Sequence, residues 1–199
     1  MSDDPFGNPE DTREQILAAT YRTLRDRGYA ELTISAIGET FEKSPSLVYR
    51  HYDSKDELVL DCLTYMLDRY ERQLTEDEIT DPKERLEAFV EWGFEDAPPE
   101  REAFLSAIIE LRSRAPHDES YESHFTRSDD VFVGYLADVI RSGIERGTFR
   151  ECDPEQAAQL LVTTLSGTLF RRSTTDSSGW LDDVHEELQT YLETRLYRD

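Results

Sequence analysis

An all-helical fold is what this 199-residue chain predicts, on three observations. Apolar residues recur at three- and four-residue spacing along almost every segment. Cap residues stand before most of those segments, and Gly or Pro stands after them. No alternating run of β-branched residues is long enough to read as a strand. The pattern gives about nine helices, with ends good to a few residues (~2–4).

Residues 1–10, acidic and containing Pro and Gly, read as a mobile tail. Thr12 opens the first helix, with Gln15 three positions on as in a capping box. Ile16, Ala19, Thr20 and Leu24 follow at helical spacing, and Gly28 stops it. Thr33 caps a short second helix with Ile34, Ile37 and Phe41 on one face. Ser44-Pro45 restarts the chain as a cap followed by Pro at the first helical position. This third helix is brief, with Leu47, Val48 and Tyr52 inward. Ser54 and Glu57 form a second capping box and open a long fourth helix through Val59, Cys62, Leu63, Met66 and Tyr70.

Asp81-Pro82 starts a fifth helix with Leu86, Phe89, Val90 and Phe94, broken at Pro98-Pro99. Phe104, Leu105, Ile108, Ile109 and Leu111 make the next, which ends before Pro116. A long helix from about Tyr121 to Arg146 carries Phe125, Phe132, Leu136, Val139, Ile140 and Ile144, and Gly147 ends it. Asp153-Pro154 caps another with Ala157, Ala158, Leu161, Leu165 and Leu169. Gly179 precedes the last, with Leu181, Val184, Leu188, Tyr191, Leu192 and Leu196.

The composition is globular, with 37% hydrophobic and 33% charged residues. Charge is the outlier: 22 Lys+Arg against 44 Asp+Glu gives −22. A chain this acidic is repelled as a whole by nucleic acid. Its lysines are Lys43, Lys55 and Lys83 alone. Acid excess with few lysines suits a cytosol rich in salt, where the screening length shrinks to ~3 Å at 1 M. Cys62 and Cys152 lie far apart, make no metal or redox motif, and are expected as free thiols. The first residues are the opposite of a signal peptide, and no apolar run nears the ~20 residues that span a bilayer. A soluble, cytoplasmic chain with no membrane partner is expected.

Against that charge, the stretch 43–55 is locally positive, with Lys43, Arg50 and Lys55 against Asp53. Two short helices joined by a tight turn, the second beginning Ser44-Pro45-Ser46, have the dimensions of a helix-turn-helix. Ser44 and the free amides of its helix start can meet a phosphate. Ser46 is short enough to reach a base edge, and Pro45 or Leu47 can sit on a thymine methyl. Tyr49, Arg50, His51 and Lys55 follow. By spacing alone, a merely solvated polar face is an equal reading.

The residues are nonetheless similar to a known pattern. Residues 16–58 resemble the N-terminal domain of TetR-family regulators. Ile16-Leu17-Ala18-Ala19 with Arg27-Gly28-Tyr29 resembles that family's first helix and stop. Thr33-Ile34-Ser35-Ala36-Ile37 resembles its second. Ser44 through Tyr52, with Lys55, Glu57 and Leu58, resembles its recognition helix and exit. The resemblance implies that Pro45, Ser46 and Leu47 face bases, and that Thr33, Ser35, Tyr49, His51 and Lys55 contact phosphates. One departure stands out. The family usually places small residues, often Ala-Gly, where Phe41-Glu42 stand. The turn is therefore expected to be reshaped, since a left-handed residue without Gly costs roughly 1 kcal/mol or more. Phe41 is expected to fill core space.

By that resemblance, residues 1–55 form the DNA-binding domain and residues 56–199 a helical body that binds an effector and dimerises. Phe89, Trp92, Phe104, Ile108, Arg112, Phe125 and Phe132 are candidate pocket residues for a small apolar or amphipathic molecule, with Arg112 equally an anchor for an anionic head or the partner of a neighbouring carboxylate. Ordinary core is the rival reading for each aromatic singly. Ala157, Leu161, Leu165, Leu181 and Leu188 are candidate dimer contacts. His117, Asp118, Glu119 and His124 lack metal-ligand spacing, so no metal is expected. No phosphate loop or nucleophilic set stands out, so no cofactor and no enzyme activity are expected. The expected function is that of a dimeric, ligand-responsive transcriptional regulator, most often a repressor, reading a pseudo-palindromic duplex operator. The rivals are a protein–protein adaptor that has lost DNA binding and an enzyme on a helical bundle.

Overall fold

The computed structural model of the protein describes residues 6–7, 9–41, 45–76, 80–96, 98–176 and 179–198. Nine α-helices run through them: α1 Thr12–Arg27, α2 Ile34–Thr40, α3 Pro45–Val48, α4 Lys55–Glu76, α5 Pro82–Phe94, α6 Pro99–Arg112, α7 Glu119–Glu145, α8 Pro154–Thr174 and α9 Gly179–Tyr191. A 3₁₀ turn, Ala115–His117, precedes α7, and a π-helical turn, Leu192–Leu196, extends α9. All-helical architecture is thus present among the described residues. The only pairing of extended backbone there is a single antiparallel bridge between Phe149 and Tyr197.

The caps explain most helix starts. Thr33 Oγ1 accepts from the Ala36 amide at 3.0 Å. Ser54 Oγ accepts from the Glu57 amide at 3.1 Å, and Glu57 reaches back to the Asp53 amide. Asp81 and Asp153 cap α5 and α8, each followed by Pro. The first helix departs from expectation by one residue. Its cap is Asp11, which accepts from the Glu14 amide at 2.8 Å, while Glu14 accepts from the Glu10 amide. A carboxylate answers the positive helix start better than the Thr12 hydroxyl does. Gly28 stops α1 with φ +71°, a value that residues with a Cβ rarely adopt.

The helices pack as two compact units. The first comprises residues 1–73 and 97–126; the second comprises 74–96 and 127–199. The expected division after residue 55 is therefore not a seam in the packing. Leu58, Val59, Cys62 and Leu63 of α4 share one core with Ile16, Leu17 and Leu24 of α1, Ile37 of α2 and Val48 of α3. Leu111 of α6 and Tyr121 of α7 complete it, both fully buried. Part of the segment expected to be a mobile tail is packed instead. Phe6 is 3% exposed and belongs to this core. In the second unit α5 packs on α8, and Leu86, Val90, Leu136, Ile140, Leu161, Leu165, Leu188 and Leu192 fill the interior. No helix among the described residues is long and apolar enough to cross a membrane.

Candidate nucleic-acid interface

The candidate face lies on α2, α3 and the turn that follows. Caps and core contacts turn one side of each short helix inward. Ala36 and Ile37 of α2 are buried, as are Val48 and Tyr52 around α3. Residues on the opposite side of each turn are consequently left outward. Thr33, Ser35, Ser46, Arg50 and His51 are exposed, and Tyr49 is 62% exposed. Leu47 is half-buried against the core and so offers only part of its side chain. Pro45 opens α3 in the chain, and Ser44 lies outside the described residues, as do Glu42 and Lys43.

Two anchors hold this face. Val48 is fully buried, and the amides of His51 and Tyr52 bond its carbonyl at 2.9 and 3.1 Å, so the chain leaves α3 as a continued turn. Tyr52 then donates its hydroxyl to Asp61 of α4 at 2.6 Å. Asp61 also receives the Arg13 guanidinium of α1, with Nε at 2.9 Å. Burial, and then the Asp61 carboxylate, push the Tyr52 phenol above its ordinary range. A phenol that stays protonated keeps its donor role at any physiological pH. Arg13, His51, Tyr52, Glu57 and Asp61 line a shallow cavity of about 390 Å³ beside these anchors.

Phe41 resolves half of the question about the turn. It closes α2 in a right-handed conformation, φ −73° and ψ −13°, and its amide bonds the Ile37 carbonyl at 2.8 Å. It is buried in the first core, as expected from its size. No left-handed strain falls on Phe41.

Lys55 is tied down at the start of α4. Its Nζ donates to the Tyr29 carbonyl at 3.2 Å and lies 3.8 Å from the centroid of the Tyr29 ring. An ammonium has three donors, so a bond to Tyr29 leaves donors for a phosphate. Next to it, Asp56 accepts from the hydroxyls of Tyr29 and Tyr121, the latter at 2.9 Å, and faces Arg114 at 3.4 Å. Partial burial opposes the Asp56 charge, but the two phenols and the Arg114 guanidinium more than offset it and hold its pKa below the usual carboxylate range. Burial, then the bond to Asp56, push Tyr29 up to about 12. Sequence reasoning missed this cluster. Tyr29 and Lys55 were visible as separate signals, but Arg114 and Tyr121 are too distant in sequence for any spacing rule to join them.

The remaining candidates are dispersed. Phe104, Ile108, Arg112 and Phe125 fall in the first unit, and Phe89, Trp92 and Phe132 fall in the second. Phe125 is core, with the exposed Arg112 guanidinium 5.2 Å from its ring centroid. Phe104 sets its edge against Tyr21, ring centroids 5.0 Å apart. Phe89 is half-buried and meets Phe132 and Tyr135 at 6.2 and 6.1 Å between centroids. Trp92 is 42% exposed. Of the candidate dimer contacts, Ala157, Leu161, Leu165 and Leu188 are buried in their own unit, and Leu181 is half-buried. Their apolar side chains mark the inward stripe of each helix.

Comparison with known proteins gives consistent matches. Residues 16–62 match the model of the bacterial regulatory proteins of the tetR family, and residues 82–196 match that of the BetI-type transcriptional repressor C-terminal domain. A TetR transcription regulator from Haloarcula marismortui has the same fold, with a TM-score of 0.78, 34% identity, and coverage of 92% of this chain and 97% of that one. The transcriptional repressor AcnR of Corynebacterium efficiens is 22% identical over 183 residues, 92% of this chain and 93% of the repressor. A regulator from Saccharomonospora viridis solved with choline shares the fold at a TM-score of 0.76 and 21% identity, over 94% of this chain and 98% of that one.

Proposed function

The chain belongs to the TetR family of ligand-responsive transcriptional regulators, and from that premise we propose that it is a homodimeric repressor gripping a pseudo-palindromic operator through the α2–α3 face. The observation that carries this reading is the face itself. Thr33, Ser35, Ser46, Tyr49, Arg50 and His51 all point outward beside a fixed Lys55. Ser46 and the exposed part of Leu47, with Pro45, read base edges. Ser44 joins Thr33, Ser35, Tyr49, Arg50, His51 and Lys55 on the phosphates. A duplex-shift assay tests it, using sites selected by the protein from a random library. Enrichment of a two-fold symmetric motif is expected; no enrichment returns the adaptor reading.

Dimerisation uses the outward stripe of α8. Leu160 and Phe170 are 45% and 56% exposed, and they share a face with Thr163 and Gly167, where a Cβ would meet open space. Two such stripes can approach closely across a two-fold axis. Phe170→Asp is expected to give monomers by sedimentation, while Leu165→Asp, aimed inward, unfolds the unit instead.

The effector is small and apolar or amphipathic, and it meets the half-buried rings of Phe89 and Phe132 beside Trp92. Tilted rings with accessible faces take apolar groups or organic cations. Trp92 fluorescence titrated with candidate molecules, choline among them, reads this out. Its binding shifts the population of states that reach the operator, and so releases DNA. The protein works in the cytoplasm of a cell that keeps high internal salt, a reading supported by its charge of −22.

A further inference from the structure

Lys55, the proposed phosphate contact, does not choose its own position. Its ammonium is held by the carbonyl and the ring face of Tyr29. That ring is buried, and its hydroxyl is fixed on Asp56. Asp56 is in turn held from the far side by Tyr121 Oη at 2.9 Å and by the Arg114 guanidinium at 3.4 Å. Arg114 also lies over both rings, 5.0 Å from the Tyr29 centroid and 5.1 Å from that of Tyr121. Tyr121 is fully buried in the first turn of α7, and Arg114 sits in the corner between α6 and α7. Every member of the chain belongs to the first unit.

We infer that Asp56 is a positioning residue through which the α6–α7 corner, by Tyr121 and Arg114, sets the Lys55 ammonium against the operator backbone. The inference rests on the reading of Lys55 as a phosphate contact. Its physical basis is that one carboxylate serves two helical neighbourhoods. If the corner retreats, Asp56 loses two of its donors and the Tyr29 hydroxyl loses a fixed acceptor. The ring is then free to turn, and the cradle of Lys55 goes with it. Charge-assisted hydrogen bonds are short and directional, so a displacement below one ångström is enough to break the set. The high pKa of both phenols keeps the donors protonated, so the link does not depend on pH near neutrality.

The test is a double-mutant cycle on the full-length protein. Tyr121→Phe removes one hydroxyl and keeps the ring in the core. Lys55→Ala removes the contact. Operator affinity and its salt slope are measured for the wild type, both single variants and the double variant, on a duplex selected by the wild type. Thermal melts check that each is folded. Lys55→Ala is expected to weaken binding and to make the log–log salt slope more positive by about one, whatever its value in the wild type. Tyr121→Phe is expected to weaken binding about three- to tenfold, to shift the slope in the same direction by part of that amount, and to do neither when Lys55 is already alanine. Arg114→Gln is the second variant, with the same expectation, should Tyr121→Phe melt too low. Additive losses would overturn the inference while leaving Lys55 as a contact. An unchanged affinity in Lys55→Ala overturns the reading beneath it.

Discussion

Phe6 lies flat on Tyr65, with ring centroids 5.0 Å apart and planes 6° from parallel. Tyr21 tilts against the same ring at 5.9 Å, and Phe104 meets Tyr21 edge-on. An aromatic ahead of α1 thus closes a stack whose rings come from α1, α4 and α6. This is core formed by a segment whose composition reads as tail. Phe6→Ala is expected to lower unfolding stability by about 3 kcal/mol, the low end of the range for a buried Phe because a terminal segment can relax. Urea denaturation measures it. A midpoint equal to that of the wild type would show that the ring is not held there in solution.

Base-reading and phosphate-reading residues separate by the kind of loss they cause. Tyr49→Ala is expected to weaken every duplex alike, because a backbone contact positions without specifying. Ser46→Ala is expected to relax preference at one or two base pairs per half-site, by ~1–3 kcal/mol for a lost base contact. Selection from a random library with each variant distinguishes the two. A changed motif for Tyr49→Ala, or an unchanged one for Ser46→Ala, reverses the assignment.

Gly143 and Gly134 occupy the same helix and predict opposite outcomes. A Cβ at Gly143 would overlap the Phe149 ring, whereas at Gly134 it would meet nothing within 4 Å. Phe149 cannot retreat easily, since it is 1% exposed and stacked on Tyr197 at 5.4 Å. Gly143→Ala is therefore expected to cost ~1–3 kcal/mol by overpacking. Gly134→Ala is expected to add up to about 1 kcal/mol from helix propensity. Thermal melts of the pair decide it, and stabilisation by both would show that the Phe149 contact is loose.

Local signals carried most of the fold in this sequence. Thr33, Ser54, Asp81 and Asp153 announce helix starts because a cap is a contact within three residues. Ile16, Ile37 and Leu86 announce inward faces because burial follows the helical period. The outward set from Thr33 to His51 was legible for the same reason. What spacing could not give was association over long separations. Phe6 against Tyr65, and Asp56 against Tyr121, are side-chain contacts between elements whose packing no local pattern encodes. The face proposed for dimerisation illustrates a further limit. Leu160 and Leu161 are the same residue type in adjacent positions, yet Leu161 is core and Leu160 is 45% exposed, and apolar character alone does not separate the inward stripe of α8 from the outward one.

Salt dependence follows from the conflict between this face and the rest of the chain. A protein that binds through phosphate neutralisation loses affinity steeply as salt rises, with a log–log slope of about −0.9 per phosphate. Here the arginines of α1 are largely spoken for: Arg13 pairs with Asp61, Arg25 with Asp26 and Arg27 with Glu39. Among the described residues of the α2–α3 face and the start of α4, Arg50 and Lys55 are the full-time cations. Against them stands a net charge of −22, which repels the duplex at long range. Salt screens that repulsion over a length of about 10 Å at 0.1 M and 3 Å at 1 M. Hydrogen bonds and apolar contacts to bases act at shorter range and survive. Specific binding is therefore expected to persist in molar potassium chloride and to be no tighter at low salt. Operator affinity titrated across salt at constant pH measures this. A steep, monotonic fall with binding gone by about 0.3 M, as for a protein that neutralises several phosphates with Lys and Arg, would remove the prediction and the high-salt setting proposed for the protein.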